Sequence, residues 1–167
     1  ITNIGFQRTL KREVVCEGIG LHSGKKTRIK IIPAEVNKGI LFIREDLDMD
    51  QEIIASYQNV SDTKLGTTIA NRAGNKVQTI EHLMAAFMGL KIDNAKVILS
   101  GSEIPIMDGS SRVFIDLINS VGVTEQFTKK KVIKILKEVS FFQDNSSVVA
   151  TPSDQFTIDY QIDFPDP

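Results

Sequence analysis

The amino-acid sequence predicts an α+β fold, in which a two-layer sheet-and-helix domain precedes the first strands of a second, similar domain. Strand-like alternation of apolar and polar residues dominates the first 71 residues. Helical spacing of apolar residues comes later, in two segments between residues 79 and 122. Early strands that form hairpins, with helices that come late, are typical of an α+β layer fold.

The early strands are recognised by their period of two and by the turns between them. Residues 27–32 place Ile29 and Ile31 on one face and charged residues on the other, as a half-buried strand does. The turn at residues 37–39 leads into residues 40–44, which we expect to form a hairpin with that strand. Further strands are predicted at residues 7–17, 62–71 and 94–99.

Two later segments have the periodicity of helices. In the first, over residues 79–90, apolar side chains recur every three or four positions, and Thr79 is the expected N-cap. The second begins after Ser110 or Ser111. It is expected to end at Gly122, because glycine often follows the last turn of a helix.

These elements divide the chain into three predicted parts. Residues 1–122 form a first α+β domain, and residues 123–131, which end in three lysines, form a linker. Residues 132–167 hold strand patterns with no helix to cover them, at 132–142, 147–150 and 156–164. We therefore expect the chain to stop inside an incomplete second α+β domain.

Composition argues against several classes of partner. Among 167 residues, 20 are basic and 21 acidic, so the net charge of −1 favours neither nucleic acid nor an anionic membrane. No apolar run approaches the roughly 20 residues that span a bilayer, so no transmembrane segment is predicted. The single cysteine, Cys16, cannot form an internal disulfide, which fits a reducing compartment such as the cytoplasm. It has no basic neighbour to activate its thiol, and we interpret it as a core residue.

His82 follows Glu81 in the first turn of the predicted helix, and the pair is the strongest candidate for chemistry. The positive end of the helix dipole disfavours protonation of an imidazole there, and a neutral imidazole is what a metal binds. Glu81 could then take a proton from a metal-bound water. The alternative is a capping carboxylate beside a surface histidine. A catalytic zinc needs about three protein ligands, and the sequence holds only two histidines.

The other histidine, His22, lies in a glycine-rich loop, where backbone can approach a ligand closely. The alternative is a loop histidine that hydrogen-bonds its own turn. Asp108 precedes a glycine and two serines, and we assign it to the start of the second helix rather than to catalysis. The acidic loop at residues 45–50 lacks the spacing of a calcium loop and is interpreted as solvated surface.

Five segments together resemble one enzyme family. They are Gln-Arg-Thr-Leu at 7–10, Gly-Ile-Gly-Leu-His-Ser-Gly at 18–24, Thr-Ile-Glu-His-Leu-Met-Ala-Ala at 79–86, Ile-Asp-Asn at 92–94 and Glu-Ile-Pro-Ile-Met-Asp-Gly-Ser at 103–110. Each motif alone is modest, but their order and spacing form a specific set. The chain resembles the UDP-3-O-acyl-N-acetylglucosamine deacetylases of lipid A biosynthesis in Gram-negative bacteria.

The resemblance implies a zinc amidase that removes the N-acetyl group from a UDP-linked acylated glucosamine. It implies two similar α+β domains with the site between their helical layers, zinc ligation by His82 and a general-base role for Glu81. It also implies substrate contacts near the metal, beside the acyl-chain passage and at the nucleotide end. In that order, these residues are Leu65, Gly66 and Thr67; Ile19 and His22; and Asp163 and Phe164.

The family's other zinc ligands, a His and an Asp, belong to its second domain, as do its catalytic His and a substrate-binding Lys. The resemblance places no counterpart of these four in this sequence, and a further Lys at the nucleotide appears here as Ser146 or Ser147. We therefore expect the N-terminal part of the enzyme, inactive until the missing C-terminal part of the second domain completes it. The alternative is a non-catalytic truncated fragment or a binding or structural module. The charge balance argues against nucleic-acid binding.

Overall fold

The computed structural model describes residues 5–163 and confirms the α+β class. The chain separates into two units, one from Gly5 to Lys130 and the other beginning at Lys131. Neither helix of the described residues has the length and apolarity that a membrane-spanning helix requires.

Within residues 5–130, the first unit contains ten strands, two α-helices and one short 3-10 helix at Tyr57–Asn59. The strands are β1 (Phe6–Leu10), β2 (Val14–Ile19), β3 (Lys26–Pro33), β4 (Ile40–Arg44), β5 (Glu52–Ile54), β6 (Val60–Asp62), β7 (Thr68–Ala70), β8 (Lys76–Val77), β9 (Ala95–Leu99) and β10 (Val123–Lys129). The helices are α1 (Glu81–Gly89) and α2 (Arg112–Val121).

The main sheet has five strands in the order β2-β3-β9-β4-β5. The predicted hairpin between β3 and β4 is wrong, because β9 lies between them, antiparallel to β3 and parallel to β4. The connection over residues 34–39 is longer than a tight hairpin turn, and both Asn37 and Gly39 have positive φ. Ala95, Val97 and Leu99 of β9 are fully buried, as expected for a central strand.

The core lies between this sheet and the two helices. Leu83 and Phe87 of α1 and Phe114 and Ile118 of α2 are at most 1% exposed, and all four belong to the same apolar cluster as the inward residues of the sheet. Burying each large apolar side chain contributes about 1.5–3 kcal/mol. The predicted stop of α2 is confirmed, since Gly122 ends it with a φ of 80°.

β1 and β10 form a separate antiparallel pair, which corrects two predictions. The single strand expected at residues 7–17 is two strands, divided at residues 11–13. The linker expected at residues 123–131 is largely β10. The strand has no alternation of apolar and polar residues to reveal it. Gln126 stands at an inward position, where it makes hydrogen bonds with Ala34 and Asn94 instead of apolar contacts.

A polar network joins these strands to the main sheet. It is centred on the buried side chains of Gln7 and Asn94 and includes the exposed Asn37 and the half-buried Gln126. The side-chain amide of Asn94, 1% exposed, donates to Gln7 and to Gln126, at 2.9 and 2.8 Å. Its carbonyl oxygen accepts from the backbone of Gly39 at 2.8 Å. The network therefore satisfies buried polar groups that would otherwise destabilise the fold.

In the second unit, the described residues contain one antiparallel hairpin, β11 (Val139–Gln143) with β12 (Ser146–Ala150). It overlaps two of the predicted strands. The third prediction, at residues 156–164, is wrong for residues 156–163, which form no strand and pair with no other described segment. Phe164 lies outside the described residues.

Candidate active site

Three segments of the first unit meet beside the start of α1. They are the loop that follows β2 and carries His22, the loop at residues 63–67 between β6 and β7, and the first turn of α1 with Glu81 and His82. Hydrogen bonds between these segments bring together side chains that lie about 60 residues apart in sequence.

His22 contacts the second of these loops directly. Its ring Nε2 lies 3.0 Å from the backbone oxygen of Leu65. A carbonyl oxygen only accepts, so Nε2 carries the hydrogen in this contact. The alternative interpretation of His22, a histidine bonded to its own turn, is therefore wrong for this ring nitrogen.

Glu81 faces the same loop. Its Oε2 accepts a hydrogen bond of 3.0 Å from the backbone N–H of Thr67. A Cβ atom added at Gly66 would lie 3.2 Å from Oε1 of Glu81 and 3.6 Å from Nε2 of His22. The absence of a side chain at Gly66 therefore leaves a space that the carboxylate and the imidazole share. The φ of Gly66, +155°, lies at the edge of the region that other residues avoid.

His82 is half-buried, and its Nδ1 is buried with no hydrogen-bond partner in the described part of the chain. Buried polar atoms are nearly always paired, so an unpaired imidazole nitrogen fits a group that binds a metal. Among residues 5–163, however, no three His, Cys, Asp or Glu side chains lie close enough together to hold an ion. The chain thus offers His82 as one candidate ligand beside a carboxylate.

A small cleft of about 100 Å³ opens at this place. It is lined by His22, Asp62, Lys64, Leu65, Gly66, Thr68, Gln78 and Thr79. A larger and shallower groove of about 540 Å³ lies elsewhere, between the acidic loop at residues 48–52 and the turn at 71–73. It contains none of the predicted site residues, whereas the smaller cleft contains His22, Leu65 and Gly66, although neither Glu81 nor His82 lines it.

The other predicted residues fall outside this arrangement or only partly within it. Leu65 lines the cleft with its side chain 80% exposed, whereas Ile19 is exposed at the end of β2 and does not line it. Asp163 belongs to the second unit. Phe164 lies outside the described residues.

Two predictions about individual residues have clear outcomes. Cys16 is half-buried and packs against the core, which agrees with its interpretation as a packing residue, and burial raises the pKa of its thiol to about 11. Asp108 accepts hydrogen bonds from the backbone and hydroxyl of Ser110, and the Ser110 hydroxyl accepts from the N–H of Arg112 at the start of α2. Its structural role is therefore confirmed.

The sequence interpretation missed Glu103 and misassigned Thr79. Glu103 is 1% exposed and accepts hydrogen bonds from the backbone of His22 and Ser23. Thr79 does not cap α1, whose N-cap position is Ile80 and has no side-chain cap. Its hydroxyl donates to Glu103 instead. A charged residue inside an otherwise apolar segment, residues 103–107, was the available signal for Glu103.

Comparison with known protein families gives one match that covers nearly the whole chain. Residues 7–167 match the family model described as UDP-3-O-acyl N-acetylglycosamine deacetylase. The match confirms the resemblance drawn from the five sequence motifs.

Proposed function

Because the chain belongs to the UDP-3-O-acyl N-acetylglycosamine deacetylase family, we propose that it supplies part of a zinc-dependent site. That site removes the N-acetyl group from a UDP-linked acylated glucosamine in lipid A biosynthesis. The observation that carries the proposal is the common space beside Gly66, which Glu81 and His22 both face. His82, whose Nδ1 has no hydrogen-bond partner in the described residues, follows Glu81 directly in sequence.

Glu81 is the proton acceptor in this proposal. Deacetylation adds water across an amide, so a base must take a proton from the attacking water while the amide nitrogen leaves as an amine. The hydrogen bond from the N–H of Thr67 holds Oε2 and leaves Oε1 directed at the space beside Gly66. A bound zinc, with His82 as one ligand, would polarise the amide carbonyl and lower the pKa of water.

Substrate contacts follow from the same arrangement. We assign Leu65, Gly66 and Thr67 to the region next to the reacting amide, because Thr67 bonds the proposed base. Ile19 and His22 are assigned to the acyl chain, and the exposed apolar side chain of Ile19 supports this. Asp163 and Phe164 are assigned to the nucleotide end on the family resemblance alone.

We also propose that residues 1–167 are inactive by themselves. A catalytic zinc takes about three protein ligands, and among residues 5–163 no three His, Cys, Asp or Glu side chains lie close enough together to hold one. The partner in this proposal is the remainder of the second domain, with its His and Asp ligands. The single cysteine and the charge balance support a cytoplasmic location without nucleic acid as a partner.

Acetate release from UDP-3-O-acyl-N-acetylglucosamine tests both parts. We expect no turnover by the 167-residue chain, and zinc-dependent turnover by a longer polypeptide that carries the family's second domain. In the longer polypeptide, Glu81→Gln should lower kcat by about 10²–10⁴-fold. The matched change Glu17→Gln, on an exposed residue of β2, should leave kcat unchanged.

Zinc-dependent turnover by the short chain would contradict its proposed inactivity. A longer polypeptide that is inactive, or that tolerates Glu81→Gln, would contradict the catalytic assignment.

One observation favours a second candidate, a non-catalytic module that binds another protein surface. Phe141 and Phe142 of β11 are 64% and 70% exposed, and exposed apolar patches of this kind mark contact surfaces. Sedimentation velocity at increasing concentration tests whether this exposed surface makes such contacts. Self-association supports the module, whereas a monomer at all concentrations counts against it.

A further inference from the structure

Glu103 connects two of the three segments that build the site. Its Oε1 accepts from the backbone N–H of His22 at 2.9 Å and from the hydroxyl of Thr79 at 2.9 Å. Its Oε2 accepts from the backbone N–H of Ser23 at 2.8 Å. One buried carboxylate therefore holds both the loop that carries His22 and the residue that precedes the first turn of α1.

The carboxylate is suited to remain ionised despite its burial. Burial opposes ionisation, but the hydrogen bonds from His22, Ser23 and Thr79 outweigh it, so the pKa of Glu103 is lowered from its usual value. An ionised carboxylate only accepts hydrogen bonds, and all of these neighbours donate. A glutamine of the same shape would direct its amide hydrogens at one of the donors.

Thr79 has a backbone conformation that needs external support. Its φ is +57°, which is unfavourable for a β-branched residue, and it is 4% exposed. The backbone before it is fixed, because Gln78 donates to Ser102 and accepts from Ile104. The hydrogen bond from its hydroxyl to Glu103 therefore restrains the backbone at Thr79, two residues before Glu81 in α1.

The loop that carries His22 packs tightly against the Glu103 carboxylate. A Cβ atom added at Gly20 would lie 2.3 Å from Oε2 of Glu103 and 2.3 Å from the hydroxyl oxygen of Ser23. No residue other than glycine fits there without displacing the carboxylate. The loop is thus shaped around Glu103, which explains how two of its successive backbone N–H groups come to face one side chain.

We propose that Glu103 is a positioning residue that sets the separation between the His22 imidazole and the Glu81 carboxylate. It acts through the His22 loop on one side and through Thr79 on the other, and it contacts neither the reacting amide nor the metal. Its importance for catalysis rests on the proposed function, in which Glu81 is the base. The positioning itself does not depend on that function.

Nuclear magnetic resonance of the 167-residue chain without substrate tests the positioning directly. The Nε2 signal of His22 reports its bond to Leu65, and the amide signal of Thr67 reports its bond to Glu81. Glu103→Gln should shift both signals, whereas Glu17→Gln should shift neither. Thr79→Val removes only the hydroxyl and should shift the Thr67 amide, and Thr79→Ser, which keeps the hydroxyl, should restore it.

Unchanged His22 and Thr67 signals in a folded Glu103→Gln variant would overturn the proposal. If that variant does not fold, the pair at Thr79 decides: equal Thr67 signals in Thr79→Val and Thr79→Ser would also overturn it.

The longer polypeptide described above provides a separate measurement of catalysis. Glu103→Gln should lower kcat about 10–100-fold, as expected for a residue that orients catalytic groups, with a smaller change in KM. Thr79→Ser should retain more of kcat than Thr79→Val. A loss confined to KM would overturn the link to Glu81. If the unaltered longer polypeptide has no activity, the proposed function fails, while the magnetic resonance result still decides the positioning.

Discussion

The two units of the chain carry similar apolar side chains but bury them to opposite extents. In the first unit Phe42 and Phe114 are 0% exposed, within a core shared by the sheet and two helices. In the second unit Phe141 and Phe142 are 64% and 70% exposed, and none of the described residues 131–163 is buried. Both units nevertheless contain well-registered antiparallel strands.

The difference shows that two strands can pair in register without burying their apolar side chains in a core. β11 and β12 pair over five residues each, and the described residues 131–163 contain no further strand or helix to cover them. An isolated two-stranded hairpin is marginally stable in water, because pairing alone removes little apolar surface. In the first unit, α1 and α2 cover one face of the main sheet, and the same kind of side chain stabilises the fold.

The largest expected effect comes from replacing one phenylalanine in each unit. Phe42→Ala in β4 should lower the free energy of unfolding by about 3–5 kcal/mol, because it leaves a cavity in the core. Phe142→Ala in β11 should change it by about 0.5 kcal/mol or less. Denaturant unfolding followed by circular dichroism measures both. If the two variants lost similar amounts of stability, Phe142 would be buried in solution and the two units would not differ in burial.

A smaller effect is expected for the polar network of the first unit. Asn94→Ala removes one hydrogen bond each from the amide of Gly39 and the side chains of Gln7 and Gln126, which should cost about 1–3 kcal/mol. Asn145→Ala, in the exposed turn between β11 and β12, is the matched control and should be close to neutral. The same unfolding experiment compares them. A neutral Asn94→Ala would mean that the network does not stabilise the first unit.

A pH titration isolates the contribution of the buried carboxylate. The pKa of Glu103 is lowered in the folded state from its usual 4.5. Its ionised form therefore stabilises the fold above that value, and the stabilisation is lost as the pH falls through the folded pKa. The stability difference between the unaltered chain and Glu103→Gln should be greatest near pH 7 and should shrink below pH 4.5. A difference that is constant from pH 7 to pH 3 would contradict this.

The smallest effect concerns the turn of the hairpin. Asp144 has a φ of +50°, a conformation that glycine adopts without a steric cost. Asp144→Gly should therefore stabilise the hairpin, by about 0.5 kcal/mol or less. Amide hydrogen exchange in β11 and β12 measures it, with β3 and β9 of the first unit as internal references. Faster exchange in the variant would show that Asp144 stabilises the turn by other means.

Much of the fold follows from local patterns in the sequence. The alternation of Ile29 and Ile31 and the helical spacing around Leu83 depend on which face is buried, and both are visible in the chain. The position of β9 between β3 and β4 is not, because it depends on pairing between segments more than 50 residues apart. β10 was missed because Gln126 is inward-facing and polar, and its partners lie on other strands.

The site divides in the same way. Glu81 and His82 can be recognised in the sequence because they are adjacent in the first turn of a predicted helix. The residues that surround them in space cannot be recognised in this way. Nothing local predicts that Gly66 places the imidazole of His22 near the carboxylate of Glu81. Glu103 was overlooked because its three donors come from two distant segments. Such contacts exist only once the tertiary fold has formed.

The pairing of β1 with β10 has a mechanical consequence. Phe6 pairs with Lys129, and the N–H of Lys130 donates to the oxygen of Gly5, so both ends of the first unit leave from the same end of one antiparallel pair. A force that pulls these ends apart would break the hydrogen bonds between β1 and β10 one after another, beginning at that end. These two strands would therefore separate at a lower force than strands pulled in shear, whatever the resistance of the core to heat or denaturant.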